Sequence, residues 1–106
     1  MTRRIALLLL LGLPAATGCG PIEYISTVTF QAGKAVQEAK ASRAPELAPY
    51  EYTAAVEYLH KAREVGGYAR YQQAIDLGNK ARDFGRDAVR LARERAVQPV
   101  RGARSE

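Results

Sequence analysis

Residue types that support catalysis or metal binding are scarce in this chain. It contains no tryptophan, one histidine and one cysteine. A single cysteine cannot form a disulfide within the chain, and together with one histidine it supplies too few ligands for a structural zinc site. A glycine-rich phosphate loop and the G-x-S-x-G and H-E-x-x-H motifs are also missing. We therefore expect a protein that is not an enzyme and has no resident cofactor or metal.

The one histidine, His60, lies in a predicted helix. A catalytic role would need a nucleophile or a carboxylate that converges on its ring. Glu57 and Glu64 stand three residues before it and four after it, so a weak surface metal clip stays open. We expect a solvated surface histidine.

Long apolar runs are missing as well. The longest, residues 5–13 with the sequence IALLLLLGL, is far below the roughly 20 residues that a membrane-spanning helix needs. Two arginines precede this run, and Pro14 and the small residues AATG separate it from Cys19. A charged start, an apolar centre and a small-residue end are the features of a secretory signal peptide. We expect residues 1–18 to be such a signal.

The sequence ATGC, residues 16–19, resembles the bacterial lipobox. Proteins of that class are cut before the cysteine, which then carries diacylglycerol on its thiol and an acyl chain on its amine. The resemblance implies a covalent lipid on Cys19, although Ala16 stands where leucine is usual. Two or more acyl chains anchor a protein stably. Gly20 after the cysteine, instead of aspartate, favours the outer membrane by resemblance to sorting in Gram-negative bacteria. We expect an outer-membrane lipoprotein that faces the periplasm. The alternative is an ordinary signal peptide that leaves a stray thiol.

Three segments show helical spacing of apolar residues, and predict helices over residues 22–42, 49–65 and 68–96. The start of the first, IEYISTVTF, favours extended or frayed structure because it is β-branched and aromatic. Gly66 and Gly67 are expected to end the second helix in left-handed geometry, and the third to end before Pro99. The expected buried stripes are Ile25, Val28, Ala32, Ala35 and Ala39; Tyr52, Ala55, Leu59 and Ala62; and Ala74, Leu77, Ala81, Phe84, Ala88 and Leu91.

These patterns predict an all-α fold, a small three-helix arrangement with a C-terminal antiparallel helical hairpin. Residues 19–48 would be the lipid-anchored N-terminal helix and linker, residues 49–97 the hairpin, and residues 98–106 a disordered tail. Within the hairpin, residues 46–81 resemble an uncharacterised helical domain of bacterial envelope lipoproteins, through features such as PYEY, YL-x-KA and the later KA. That family sometimes accompanies OmpA-like peptidoglycan-binding domains or tetratricopeptide repeats, and the second half is distantly tetratricopeptide-like. The resemblance implies fold and location and no activity.

Tyrosines and glycines are the candidates for contact with a protein partner. Tyr50, Tyr58 and Tyr68 are expected along the edge of the hairpin, where an apolar ring with a polar tip suits an interface. Gly78 and Gly85 line a row of small residues that would let another helix approach closely. The alternatives are that the tyrosines seal a thin core and that the glycines are only tolerated.

Arginines are the candidates for contact with an anion. The chain has 16 lysines and arginines against 11 acidic residues, and loses two of the arginines with the signal. Arg82, Arg86, Arg90 and Arg93 form a stripe on the last helix, which could be a solvated face or could dock on head groups, peptidoglycan or an acidic partner. Asp83–Arg86 and Asp87–Arg90 pairs would neutralise part of it. The expected export disfavours nucleic acid, and we expect no nucleic-acid partner.

Two functions remain open on this sequence. The first is a non-catalytic, lipid-anchored envelope adaptor that binds another envelope protein through the hairpin. The second is a structural lipoprotein that self-associates or contacts peptidoglycan or anionic head groups through the arginine-rich helix. Apolar adaptor binding should survive moderate salt, whereas binding through exposed charges should weaken as ionic strength rises.

Overall fold

The computed structural model describes residues 19–104, and the side chains of residues 20–98. These residues are helical apart from short turns, and no strand occurs among them. The predicted all-α class is therefore confirmed. The expected signal peptide, residues 1–18, lies outside the described residues, and so do the side chain of Cys19 and the last two residues of the expected tail.

Three nearly continuous helical pieces form the N-terminal helix: α1 (Cys19–Tyr24), a π-helical segment (Ile25–Ala32) and α2 (Gly33–Ala41). A single turn of helix, α3 (Ala44–Leu47), follows. The two longest helices are α4 (Pro49–Gly67) and α5 (Tyr71–Arg104). They form the antiparallel hairpin that the sequence predicts, and the N-terminal helix packs along it, mostly against α5.

The π-helical segment changes which residues of the N-terminal helix are buried. A π-turn closes hydrogen bonds from i to i+5, so residues five apart share a face. Thr27 and Val28 are buried, and so are Ala32 and Gly33, which lie five residues later. Ile25 was expected on the buried stripe, and this expectation is wrong because the wider turn leaves its side chain 48% exposed.

The same segment also corrects the expectation that IEYISTVTF is extended or frayed. Residues 22–30 are helical throughout. Val28 and Thr27 pack at Gly78 of α5, and Val28 is fully buried. A Cβ on Gly78 would lie only 2.8 Å from Val28 Cγ2. Packing against a neighbouring helix overrides the weak intrinsic preference of β-branched residues for strands.

The core is thin and rich in alanine, as the predicted stripes indicate. Val28 is the largest side chain that is fully buried. Small side chains bring helix backbones close together, so stability here depends on close backbone packing rather than on large apolar side chains. One buried cluster lies towards the α3 end and a second lies further towards α1. The first contains Ala39, Ala44, Ala48, Ala88, Val89 and Ala92, and the second contains Val28, Ala32, Leu59, Ala62 and Ala81.

The row of small residues on α5 is the contact surface for the N-terminal helix. A Cβ on Gly85 would lie 2.9 Å from the Cβ, 3.0 Å from the carbonyl carbon and 3.1 Å from the carbonyl oxygen of Ala35. Ala92, the next member of the row, is fully buried. The predicted close approach of a helix is confirmed, and the helix that approaches belongs to the chain itself.

The turn between α4 and α5 does not use its glycines as expected. Neither Gly66 nor Gly67 has a positive φ, and the left-handed residue of this turn is Ala69, with φ 61°. Gly66 makes room for the N-terminal helix instead, because a Cβ on Gly66 would overlap the ring of Tyr24. This Cβ would lie 2.6 Å from the hydroxyl oxygen of Tyr24. The glycine is thus required by a tertiary contact and not by its own backbone conformation.

The C-terminal boundary also differs from the expectation. Helix α5 continues to Arg104, beyond the predicted end before Pro99. The predicted disorder of residues 98–106 stays a prediction. A proline inside a helix leaves one backbone hydrogen bond unmade, and its ring crowds the carbonyl group four residues earlier, which is why the sequence favours a helix end there. Each further residue of a formed helix adds one hydrogen bond, and the helix here continues past this position.

Replacing Gly85 by alanine tests the close packing of the N-terminal helix on α5. An exposed Gly→Ala change within a helix stabilises it by about 0.5–1 kcal/mol. At Gly85 the added methyl group meets backbone atoms of Ala35, which cannot move aside, so we expect a net loss of about 1–3 kcal/mol. Gly67→Ala is the matched control, because a Cβ there has no neighbour within 4 Å.

Urea unfolding followed by circular dichroism at 222 nm measures both variants of the folded domain. The expected order of stability places Gly67→Ala at or above the parent and Gly85→Ala well below it. A Gly85→Ala protein as stable as the parent would show that the two backbones are not in close contact.

Candidate functional site

Three aromatic rings and one lysine form a continuous group on the hairpin. The Tyr58 ring stacks on Phe84, with a centroid distance of 5.6 Å and an interplanar angle of 10°. The Tyr50 ring meets the edge of Phe84 at 6.3 Å and 77°. Lys80 Nζ lies 5.5 Å from the centre of the Tyr58 ring, as in a cation–π pair. We call these four residues the aromatic patch.

Helical geometry places the aromatic patch away from the N-terminal helix. Gly78 and Gly85 mark the side of α5 that faces that helix. At about 100° per residue, Phe84 is rotated by about 100° from Gly85, and Lys80 by about 140°. The N-terminal helix therefore covers one side of α5, and the patch occupies another, beside α4.

The members of the patch differ in exposure, and this decides what each can do. Phe84 and Tyr58 are half-buried and support one another. Tyr50 is 72% exposed, so most of its ring and its hydroxyl group are accessible. A tyrosine held by an aromatic neighbour offers apolar area and a hydrogen-bonding group without much loss of side-chain freedom. This arrangement suits contact with another protein.

The structure brings Tyr50 and Tyr58 together but not Tyr68. Tyr68 is 74% exposed and lies in the α4–α5 turn, at the opposite end of α4 from Tyr50. The 19 residues of α4 separate the two positions by about 28 Å. Phe84, which connects Tyr50 with Tyr58, is absent from the predicted contact residues because its position on an apolar stripe indicated core. The sequence does not show that Phe84 of α5 contacts Tyr50 and Tyr58 of α4.

Gly78 and Gly85 are corrected as candidates for partner contact. Both are buried beneath the N-terminal helix, Gly78 against Val28 and Gly85 against Ala35. A partner helix cannot reach them while the N-terminal helix is in place. Their spacing correctly predicts a helix contact, but it does not tell an internal helix from an external one.

Two arginines of the predicted stripe are held by other side chains. Arg82, whose side chain is 23% exposed, donates to Gln31 Oε1 at 3.1 Å and Asn79 Oδ1 at 3.0 Å. Its Nε also lies 3.1 Å from Asp83 Oδ1, so Asp83 pairs with Arg82 and not with Arg86 as expected. Arg90 lies between two carboxylates, with Asp87 at 3.6 Å and Glu94 at 3.3 Å, which agrees with the predicted Asp87–Arg90 pair.

The other two arginines of the stripe are exposed. Among residues 20–98, neither Arg86 nor Arg93 has a carboxylate within 4.0 Å. Arg86 lines an open groove of about 230 Å³ between α5 and the N-terminal helix. The other lining residues include Lys34 and Glu38, which are 3.9 Å apart, so the groove has mixed charge. The stripe is therefore not a uniform cationic surface.

The described part of the chain contains neither a cluster of metal-binding side chains nor a helix able to cross a membrane. No three His, Cys, Asp or Glu side chains within residues 20–98 are placed to hold a metal ion together. His60 is exposed on α4. None of the helices described here combines the length and the apolar character that crossing a membrane requires.

The fold and these surfaces define a class: a small all-α helical hairpin whose inner face is covered by the chain's own N-terminal helix. A family model, the domain of unknown function DUF4398, matches residues 30–100, well over half of the chain. The chain belongs to that family. The match begins in the π-helical segment and leaves α1 outside it. Neither the curated proteins nor the solved structures yield a match to this chain.

Truncating Arg82 and Arg86 separately distinguishes a structural arginine from a free one. Arg82→Ala removes the hydrogen bond that joins α5 to Gln31 of the N-terminal helix, so we expect a loss of about 1 kcal/mol in unfolding free energy. Arg86→Ala removes an exposed side chain, and we expect a change within about 0.5 kcal/mol. Urea unfolding measures both, and equal losses would contradict the different roles assigned to the two arginines.

Proposed function

We propose that this protein is a lipid-anchored, non-catalytic adaptor of the bacterial envelope that binds another envelope protein through the aromatic patch. The observation that carries the proposal is the exposed ring of Tyr50, which Phe84 supports on the side of the hairpin that the N-terminal helix leaves free. Exposed aromatic residues with apolar support are typical of the centres of protein interfaces.

The chemistry of the patch suggests the character of the partner. Tyr50, Tyr58 and Phe84 provide an apolar surface, and Lys80 adds a positive charge at its edge. A complementary surface would have an apolar centre that packs on Tyr50 and an acidic group that approaches Lys80. Since the apolar contact is central, binding of this kind should depend only weakly on salt.

The lipid anchor and the outer membrane are part of the same proposal, and they are supported by the sequence before and at Cys19. A charged start, an apolar run and small residues lead directly to this cysteine. In the folded part, α1 begins at Cys19, so a lipid there would be joined to the domain without a flexible spacer. A short tether fixes the height of the hairpin above the membrane.

Replacing Cys19 by serine tests the anchor. We expect the Cys19→Ser protein to be released from the membrane fraction or to keep its signal, because serine cannot accept the thioether-linked diacylglycerol. The measurement combines membrane fractionation with the intact mass of the purified chain. An unmodified Cys19 in the mature parent, or unchanged processing and retention of Cys19→Ser, would contradict the proposal.

Photo-crosslinking from the patch tests the adaptor function. A benzoylphenylalanine placed at Tyr50 is expected to give a discrete adduct with one other envelope protein, identified by mass spectrometry. The matched control is the same group at Tyr68, which is equally exposed but lies at the other end of α4. Tyr50→Ser should reduce co-purification of that protein by about tenfold, as expected for loss of about 1.4 kcal/mol at an interface.

Three results would count against the adaptor. One is equal adducts from both positions, and another is unchanged recovery with Tyr50→Ser. The third is recovery only of the protein itself or of wall fragments, lost as salt rises, which would favour the structural lipoprotein. That alternative is supported by the exposure of Arg86 and Arg93, but Arg82 and Arg90 are already held by other side chains.

A further inference from the structure

The beginning of the N-terminal helix and the α4–α5 turn lie at the same end of the molecule. The Tyr24 ring occupies the space that a Cβ on Gly66 would need, and it lies 5.6 Å from the ring of Tyr71. Gly20 also lies against the Tyr71 ring, since a Cβ on Gly20 would be 3.5 Å from Tyr71 Cδ2. Gly20 and Tyr24 thus both pack against Tyr71, and Tyr24 also packs against Gly66 on the other side of the turn. We call α1 and residues 67–70 the Cys19 end.

Exposed apolar and aromatic side chains are present at the Cys19 end. Ile22 is 68% exposed, and Tyr68 is the most exposed of the large apolar and aromatic side chains described. Arg70 and Glu23 are exposed beside them, and the chain thus places one charge of each sign there. Neither Ile22 nor Tyr68 belongs to the two buried clusters, so neither side chain takes part in the packing of the core.

We infer that the Cys19 end is a membrane-contact surface, in which Ile22 and Tyr68 enter the boundary between head groups and acyl chains. The inference deepens the proposed function and rests on its lipid anchor. Tyrosine suits this boundary because its ring is apolar and its hydroxyl group reaches water. Isoleucine adds apolar area, and arginine can extend its charged group towards phosphates.

The occupant is a lipid surface and not a protein because of where the proposed lipid joins the domain. Cys19 is the first residue of α1, and α1 packs against the α4–α5 turn through Gly20 and Tyr24. An acyl chain on this cysteine would enter the bilayer immediately beside Ile22. Any surface at the same end would then face head groups at close range, and a protein partner would have to displace them.

Contact at this end would set the domain upright on the membrane. Helix α4 starts at Pro49 and ends at Gly67 beside the Cys19 end. Its length would therefore raise Tyr50 by about 28 Å above the position of Tyr68. The aromatic patch would then face the aqueous space, within reach of another envelope protein and out of the lipid.

Two single-tryptophan variants of the full-length, processed protein test this orientation. The chain has no tryptophan, so Tyr68→Trp and Tyr50→Trp each create a unique fluorophore at an exposed aromatic position. Both proteins are reconstituted into phosphatidylglycerol–phosphatidylethanolamine vesicles with brominated acyl chains, which quench tryptophan only at short range. The intact mass of each protein first establishes whether Cys19 carries lipid.

We expect about a twofold loss of fluorescence for Tyr68→Trp and almost none for Tyr50→Trp, because interfacial indoles lie near the acyl chains. Adding Ile22→Ser to Tyr68→Trp should reduce the quenching. Adding Phe30→Ser, a change at another exposed apolar residue further along the N-terminal helix, should not.

Each outcome has a separate meaning. Lipidated protein with no quenching at either position overturns the membrane-contact surface and leaves the anchor intact. Equal quenching at both positions overturns the upright orientation, because the hairpin would then lie flat on the bilayer. A chain without lipid on Cys19 overturns the anchor and this inference together, whereas the crosslinking from Tyr50 tests the adaptor function separately.

Discussion

The close approach of the N-terminal helix to α5 is the contact on which the rest of this structure depends. With alanine and glycine on both sides, the two backbones meet where Ala35 lies over Gly85 and Val28 over Gly78. A core in which Val28 is the largest fully buried side chain gains little from any single apolar residue. Its stability comes from many small dispersion contacts, and a gap of about 0.5–1 Å between the backbones would already cost each of them a quarter to a half of its energy. The fold thus tolerates little added volume along this row.

The same contact decides which surface of the hairpin remains accessible. Because the N-terminal helix fills the row of small residues, a partner cannot use that face of α5 without displacing part of the chain's own core. The aromatic patch lies on another side and keeps Tyr50 exposed. Thus Gly78 and Gly85, whose spacing most clearly indicates a helix contact, serve the internal packing of the fold. The surface best suited to a partner instead combines Tyr50 of α4 with Phe84 of α5.

The sequence predicts the class, the hairpin and most of the buried stripes, since alanine spacing on α4 and α5 follows ordinary helical periodicity. It fails where tertiary contacts override local rules. The π-helical segment packs at Gly78 through Val28 and Thr27, and a periodicity of 3.6 residues does not indicate that Ile25 is exposed. Gly66 is predicted to end a helix in left-handed geometry, but its missing side chain instead leaves room for the ring of Tyr24. Phe84 has the spacing of a core residue, and its role between Tyr50 and Tyr58 follows only from the pairing of two distant segments.

The contact of Tyr24 with Gly66 and Tyr71 links the packing of the core to the orientation of the whole domain. Without it, an anchored Cys19 would begin a helix whose start could move away from the hairpin. With it, the start of α1 packs against the α4–α5 turn at one end of the molecule, and helices α4 and α5 extend from that end. Helix α5 has 34 residues and is about 50 Å long, so its C-terminal turns extend well beyond the start of α4. An anchor at one end would thus place the aromatic patch and the end of α5 at different heights above the membrane, and a single partner that contacts both would have to lie along the hairpin.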